Sequence, residues 1–218
     1  MLKSVYQNGG FYIGKYETGI EDAPKISGSS SKVPTETPVI KPNAYPYNFV
    51  TCSQAQTLAS NMESGDRTTS LLFGVQWDLT LKYLEKKGTS QADLKEDSTS
   101  WGNYKNKVWA ITNENLKYYI YSNNQGTWTS NKTERNKGTG TSILLSTGAD
   151  ETFSKQGIYD FAGNVKEWTL EYTANTKNPC SLRSGGYSNE GSKAPANYRD
   201  ENSRLGTYVN VGFRITLY

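Results

Sequence analysis

The stretch GIYDFAGNVKEWTLEY (157–172) is the feature that most narrows what this chain can fold into. Gly157, Gly163 and Asn164 supply the residue types of a tight turn. That turn feeds a strand on which Trp168, Leu170 and Tyr172 share one face. Glu167 falls next to Trp168, near a core, where a buried carboxylate needs a partner. Two readings are open at this point. The carboxylate is satisfied by turn amides or by Arg214, or it ligates calcium together with the backbone of Ala162, Gly163 and Val165. The motif holds no histidine and no cysteine, so its density reads as architecture rather than chemistry.

The C-terminal run VGFRITLY (211–218) alternates. Val211, Phe213, Ile215 and Leu217 point one way and Arg214, Thr216 and Tyr218 the other, which predicts one half-buried strand. Upstream, FYIGKYETG (11–19) begins as a strand, with Phe11 and Ile13 on one face. The polar segment 21–42 is rich in Ser, Thr, Pro and Gly and reads as a loop or internal insertion. Thr51 and Gln54 have the spacing of a capping box. They precede a stripe of Ala55, Leu58, Ala59 and Met62, which predicts a first helix over 50–62. A second helix is predicted over 75–88, with Trp77, Leu81 and Leu84 on one face and Gly88 as its C-terminal cap. Residues 89–156 are mostly Ser, Thr, Asn, Lys and Gly, with tryptophans at 101, 109 and 128 and a strand-like run at 117–121. They read as long loops pinned to the core by aromatics.

Composition removes whole classes of function. The chain of 218 residues contains no histidine, which excludes histidine-based triads, histidine metal sites and histidine acid–base catalysis. Its two cysteines, Cys52 and Cys180, are too few for a cysteine-rich zinc site or an iron–sulfur cluster. A disulfide between them is open; two unpaired thiols, one on a helix face and one in a loop, is the plainer reading. Apolar residues make up 34% and mean hydropathy is −0.73, but 16 Tyr, 5 Trp and 6 Phe provide enough buriable area for one folded domain over 1–218. The net charge of +3 arises from 24 basic and 21 acidic residues without a long basic run, so no nucleic-acid partner is expected. No stretch reaches 18 apolar residues and no secretory signal opens the chain, so no membrane insertion is expected.

Three motifs in order, GIYDFAGNVKEWT, LRSGGYS (182–188) and VGFRITLY, resemble the formylglycine-generating-enzyme/sulfatase-modifying-factor superfamily. The opening strand FYIGKYE and the two helices occupy the places that family gives them, so the resemblance spans nearly the whole chain. It implies an α+β, C-type-lectin-like fold: two helices around a small, twisted antiparallel sheet with much irregular loop. It also implies that Gly185 and Gly186 form a tight turn and that Arg214 pairs inside the fold. Catalytic members hold copper through two cysteines shortly after the GGS-type motif. Here GGYSNEGSKAPANYRD (185–200) has no cysteine, Cys180 precedes the motif and Cys52 is far upstream. Soft Cu(I) wants thiolates and this segment offers none. Histidine-iron relatives are excluded by the absence of histidine. The expectation is therefore no enzyme and no required cofactor, with Ca2+ at Glu167 as the one possible structural ion.

A second branch of the superfamily is a better match. The chain resembles the variable proteins of diversity-generating retroelements, which vary a segment between the GG motif and GFR. Residues 187–210, YSNEGSKAPANYRDENSRLGTYVN, have the Tyr, Ser, Asn and Gly vocabulary of adaptable binding loops. Tyr187, Ser188, Asn189, Ser192, Asn197, Asp200, Asn202, Thr207, Tyr208 and Asn210 belong to the set of residues that adenine mutagenesis reaches. Glu190, Lys193 and Glu201 lie outside it. These ten are the candidate ligand-binding residues. The resemblance implies a protein or glycan receptor on a cell surface as partner, and a phage tail or bacterial surface as location. A fixed-specificity lectin or adhesion module, and an accessory domain of a larger assembly, are the alternatives.

Overall fold

The computed structural model describes residues 1–62, 65–122, 125–130 and 135–218. Among them are helices α1 (Leu2–Asn8), α2 (Cys52–Ser60), α3 (Gly74–Lys86) and α4 (Gln91–Lys95). The strands of the three larger sheets are β1 (Tyr12–Ile13), β2 (Thr69–Leu71), β3 (Lys117–Ser122), β4 (Gln125–Ser130), β5 (Ile143–Leu145), β6 (Lys166–Tyr172), β7 (Cys180–Arg183), β8 (Arg199–Asn202), β9 (Val211–Phe213) and β10 (Ile215–Leu217). Instead of one small sheet, the described residues form several: β8-β7-β6-β9, β4-β3-β5, β1-β10-β2 and three two-stranded ladders. The pairing of β6 with β9 is parallel, whereas β6–β7 and β7–β8 are antiparallel. No helix among the described residues is long and apolar enough to cross a membrane.

Both predicted helices form, for the predicted reasons. Thr51 Oγ1 accepts from the Gln54 amide at 3.2 Å and Gln54 Oε1 accepts from the Thr51 amide at 2.9 Å, closing the capping box. Ala55 and Ala59 are buried, with Leu58 and Met62 packed at their edge. Helix α3 buries Trp77, Leu81 and Leu84, and Trp77 stacks on Phe161 with ring centroids 3.9 Å apart. Its end is a Schellman motif: Gly88 has φ 100 and donates to Glu85 O, and Thr89 donates to Leu84 O.

The interior is aromatic, and each large ring brings its polar atom to a partner. The indole N–H of Trp168 donates to Val50 O at 2.9 Å, that of Trp77 to Ala196 O at 2.9 Å, and that of Trp101 to Asp93 O at 3.1 Å. Such bonds let a low-hydropathy sequence bury tryptophan without stranding a donor.

Three further expectations are corrected. The region 89–156 is richer in regular structure than loops pinned by aromatics: it contains α4, β3, β4, β5 and the ladder of Trp109–Ile111 with Arg135–Lys137. Residues 123–124 and 131–134 of that region lie outside the described ones. The C-terminal run is two strands in two sheets. Arg214 sits between β9 and β10, and Arg214 and Thr216 are as buried as Phe213, because packed elements cover both faces. The third correction is that Cys180 opens strand β7 instead of lying in a loop.

Candidate functional site

The 157–172 motif forms a buried polar hub under the C-terminal segment. Gly163 has φ 76, and a Cβ there would lie 2.6 Å from both the amide nitrogen and the carbonyl oxygen of Asn103, so only glycine fits. Asn164, at φ 56 and fully buried, uses its whole side-chain amide. Oδ1 accepts from Asn103 Nδ2 and the Leu145 amide, each at 3.0 Å, and Nδ2 donates to Glu17 Oε2 at 2.7 Å and Leu145 O at 3.2 Å. One residue thus joins four segments that are far apart in sequence.

Beside the hub, Arg214 donates to Glu167 Oε1 from Nη2 at 2.8 Å and to Oε2 from Nε at 3.2 Å, and also reaches Gly14 O and Tyr159 O at 2.8 Å each. Glu17 accepts from the Val165 amide at 3.1 Å, and Asp160 Oδ2 accepts from the Gly148 amide at 2.7 Å. Three buried carboxylates thus lie near one guanidinium, which among them bonds only Glu167 and acts on Glu17 and Asp160 through its charge. Burial raises all three pKa values. That of Glu17 is pushed well up, with further repulsion from Asp160 and Glu167; that of Asp160 rises to about 7; that of Glu167 rises despite Arg214.

This geometry bears on the calcium reading. Both oxygens of Glu167 are spanned by Arg214, and in the turn whose carbonyls would complete the site the Asn164 carbonyl already accepts from the Tyr187 amide at 2.8 Å. A guanidinium stands where the ion would sit. The oxygen ligands as seated do not suit Ca2+.

The ten candidate binding residues divide by exposure. Ser188, Ser192 and Tyr208 are exposed; Asn189, Asn197, Asp200, Asn202, Thr207 and Asn210 are half-buried. Tyr187 is buried at 4% exposure, in a cluster with Leu144 and Val165, and so stands with the frame. Asn189 also serves the frame, since its Oδ1 accepts from the Gly186 amide at 2.9 Å and its carbonyl accepts from the Lys105 amide at 2.8 Å. The Asn210 carbonyl accepts from the Lys166 amide at 2.9 Å.

The segment is not wholly loop. Strand β8 is the outer strand of its sheet, with Asp200 opposite Leu182 and Asn202 opposite Cys180. Asp200 accepts a charged hydrogen bond from Lys166. Asn202 Oδ1 accepts from the Tyr208 hydroxyl at 3.1 Å, linking edge strand to terminal loop. The Tyr208 carbonyl accepts from the Phe49 amide at 3.0 Å, and the Gly191 amide donates to Asn106 Oδ1 at 3.1 Å. The ends of the segment are therefore pinned to different parts of the body, and its exposed side chains are spread over two loops and an edge.

The turn before the segment works differently from the expectation. Its positive φ falls on Ser184 (φ 63), not on Gly185 or Gly186. Gly185 is needed for close approach: a Cβ there would lie 2.6 Å from Ala194 O and 2.9 Å from the Tyr104 ring.

Sequence reasoning missed Tyr198, Arg199 and Leu205, all exposed on the same segment. Arg199 bonds Asp78 and Glu171, the two carboxylates that also hold the buried Arg183. Tyr198 is of a residue type that the candidate set already contains, and Arg199 and Leu205 carry no compositional signal of exposure.

No curated protein matches the chain by sequence. Among solved structures, variable protein 1 of Treponema denticola is similar, with a TM-score of 0.38 and 15% identity over 71% of this chain and 49% of that one. The crystal structure of CarF is similar with a TM-score of 0.44 and 15% identity over 78% of this chain and 66% of that one. The chain thus spans about half to two thirds of the length of these structures. Residues 11–217 match the family described as the sulfatase-modifying factor enzyme 1-like domain. With nearly every residue inside that match, the chain belongs to the sulfatase-modifying factor enzyme 1-like domain family.

Proposed function

We propose that this domain is a non-enzymatic binding module of C-type-lectin-like fold, and that the exposed residues of 187–210 contact a protein or glycan receptor on a cell surface. The observation that carries the reading is the contrast within one short stretch. Ser188, Ser192, Tyr198, Leu205 and Tyr208 are exposed, while Gly185, Tyr187, Ala194, Ala196 and Gly206 beneath them are buried. Side chains arranged this way can change without disturbing the body, which is the physical requirement for a diversifiable surface. The absence of cysteine from 185–200 supports the non-enzymatic part, because a thiolate-bound copper ion has no ligands there.

The diversification part is tested in the DNA flanking the gene. A near-copy of the codons for residues 182–218, differing almost only at adenines, beside a reverse-transcriptase gene supports it. If neither is present, the diversifiable reading fails and a fixed-specificity surface remains. The binding part is tested with a glycan array and a panel of intact bacterial cells. Alanine at Ser188, Ser192 and Tyr208 together should reduce binding to every target that the native chain retains; unchanged binding overturns the assignment.

A further inference from the structure

The two cysteines are separated by most of the chain, yet they face the same cleft. Cys52 is the first residue of α2, and Cys180 is the first residue of β7. Both line a cleft of about 340 Å³, together with Gln56, Leu170, Tyr172 and Arg204. The Cys52 thiol points at the sheet, with Sγ 3.7 Å from Thr169 O, and the Cys180 thiol is close enough to act as its hydrogen-bond partner. Both are free thiols; Cys52 is the more accessible and Cys180 is 8% exposed.

We propose that Cys52 and Cys180 form a redox-convertible pair, closing to a disulfide that ties the start of α2 to the start of β7. The inference is independent of what the C-terminal segment binds. The oxidant is a small disulfide of the glutathione type. The Cys52 thiolate attacks one of its sulfurs, and one glutathione leaves as thiolate. The Cys180 sulfur then displaces the second glutathione from Cys52. One protein S–S bond forms, the glutathione S–S bond breaks, and the two thiol protons end on two glutathione molecules.

The surroundings set the rate and the consequence. Burial, with the neighbouring Cys180 thiol, pushes the Cys52 pKa up to about 12. The reactive thiolate is therefore scarce near neutrality, and exchange in the folded protein is slow, accelerating about tenfold per pH unit. In the unfolded chain both thiols are ordinary and the pair closes readily on refolding. The closed loop spans about 130 residues, so the bond constrains the unfolded chain strongly. Cys180 also sits opposite Asn202 of β8, so the staple stiffens the base of the edge strand.

The test is to refold the full chain with oxidised glutathione and to measure intact mass, thiol content and melting temperature. The expected result is a monomer lighter by two hydrogens, with a cross-linked peptide containing Cys52 and Cys180. It titrates no thiol until reduced, and its melting temperature is higher by roughly 5–15 °C. Cys52→Ser and Cys180→Ser should each yield a glutathione adduct on the remaining thiol instead. Two free thiols after refolding, stable glutathione adducts on both cysteines, or only intermolecular dimers would overturn the proposal. The mass measurement on the native sequence stands even if a serine variant fails to fold.

Discussion

Arg214 covers both carboxylate oxygens of Glu167 in a site where the two side chains are 0% and 1% exposed. Its other donors reach Gly14 O and Tyr159 O, so this one side chain closes the space between the residue after β1, the start of the 157–172 motif and β6. Removing the cation leaves Glu167 uncompensated with Glu17 and Asp160 beside it. Arg214→Met should cost about 3–5 kcal/mol, since one half of a buried pair is left behind. Urea denaturation checks this; a loss below about 1 kcal/mol would mean the cluster relaxes by protonation.

The same cluster sets the pH dependence. Asp160 is a carboxylic acid whose folded pKa is raised to about 7, so the folded state holds a proton that the unfolded state releases near pH 4. Its contribution is favourable at low pH and is lost as pH rises between about 4 and 7. Raised values at Glu17 and Glu167 act in the same direction. Asp160→Asn should flatten this decline and stabilise the protein at pH 8 by a few kcal/mol, the order of a three-unit shift. Its Oδ1 has no partner among the described residues, so an amide there gives up no bond. Denaturation midpoints of both proteins from pH 4 to 8 decide the matter, and parallel curves would refute it.

Calcium should have little effect on the fold. With Arg214 across Glu167, millimolar Ca2+ or excess chelator should leave the melting temperature unchanged to within about 1 °C. A calcium-dependent rise of several degrees would show that an ion displaces the guanidinium or binds elsewhere.

Lys137 is an interior cation held by three backbone carbonyls. It is 2% exposed, and its Nζ donates to the carbonyls of Tyr104, Lys105 and Lys107 at 2.7, 3.1 and 2.5 Å. Lys137→Met keeps the stem but strands three acceptors, and should cost about 3 kcal/mol at charge-assisted magnitudes. The same denaturation assay reads it; a neutral result would mean water replaces the ammonium.

How much of this was legible in the sequence follows the range of the forces involved. The capping box at Thr51 and the Schellman end at Gly88 are local devices, so spacing alone revealed them. The Arg214–Glu167 pairing was available as one of two readings, because a carboxylate beside Trp168 must find a partner. The split of 211–218 was not legible. Alternation cannot distinguish solvent from a second packed face when the outward residues are Arg214 and Thr216, both of which bury only with partners. Strand β8 was hidden for a similar reason: RDEN carries no β-propensity signal, and its register comes from β7. The approach of the two thiols depends on placing α2 against β7, which no local pattern encodes.

Surface and frame should separate cleanly in mutagenesis of residues 184–210 and of the turn at Gly163. Ser188, Ser192 and Tyr208 are exposed, so alanine at each should change stability by no more than about 0.5 kcal/mol. Gly185→Ala places a methyl 2.6 Å from the Ala194 carbonyl and 2.9 Å from the Tyr104 ring, both of them buried, and should cost about 1–3 kcal/mol. Gly163→Ala should be worse, because it adds a positive φ to a backbone clash with Asn103. Thermal melts of the five variants order them, and binding assays on the same samples give the second axis. If the exposed alanine variants lose binding at native melting temperatures while the glycine variants lose both together, the segment is a binding surface on a rigid body. If Tyr208→Ala melts early, its hydroxyl's bond to Asn202 is structural, and the contact surface shrinks to the loop at 188–193.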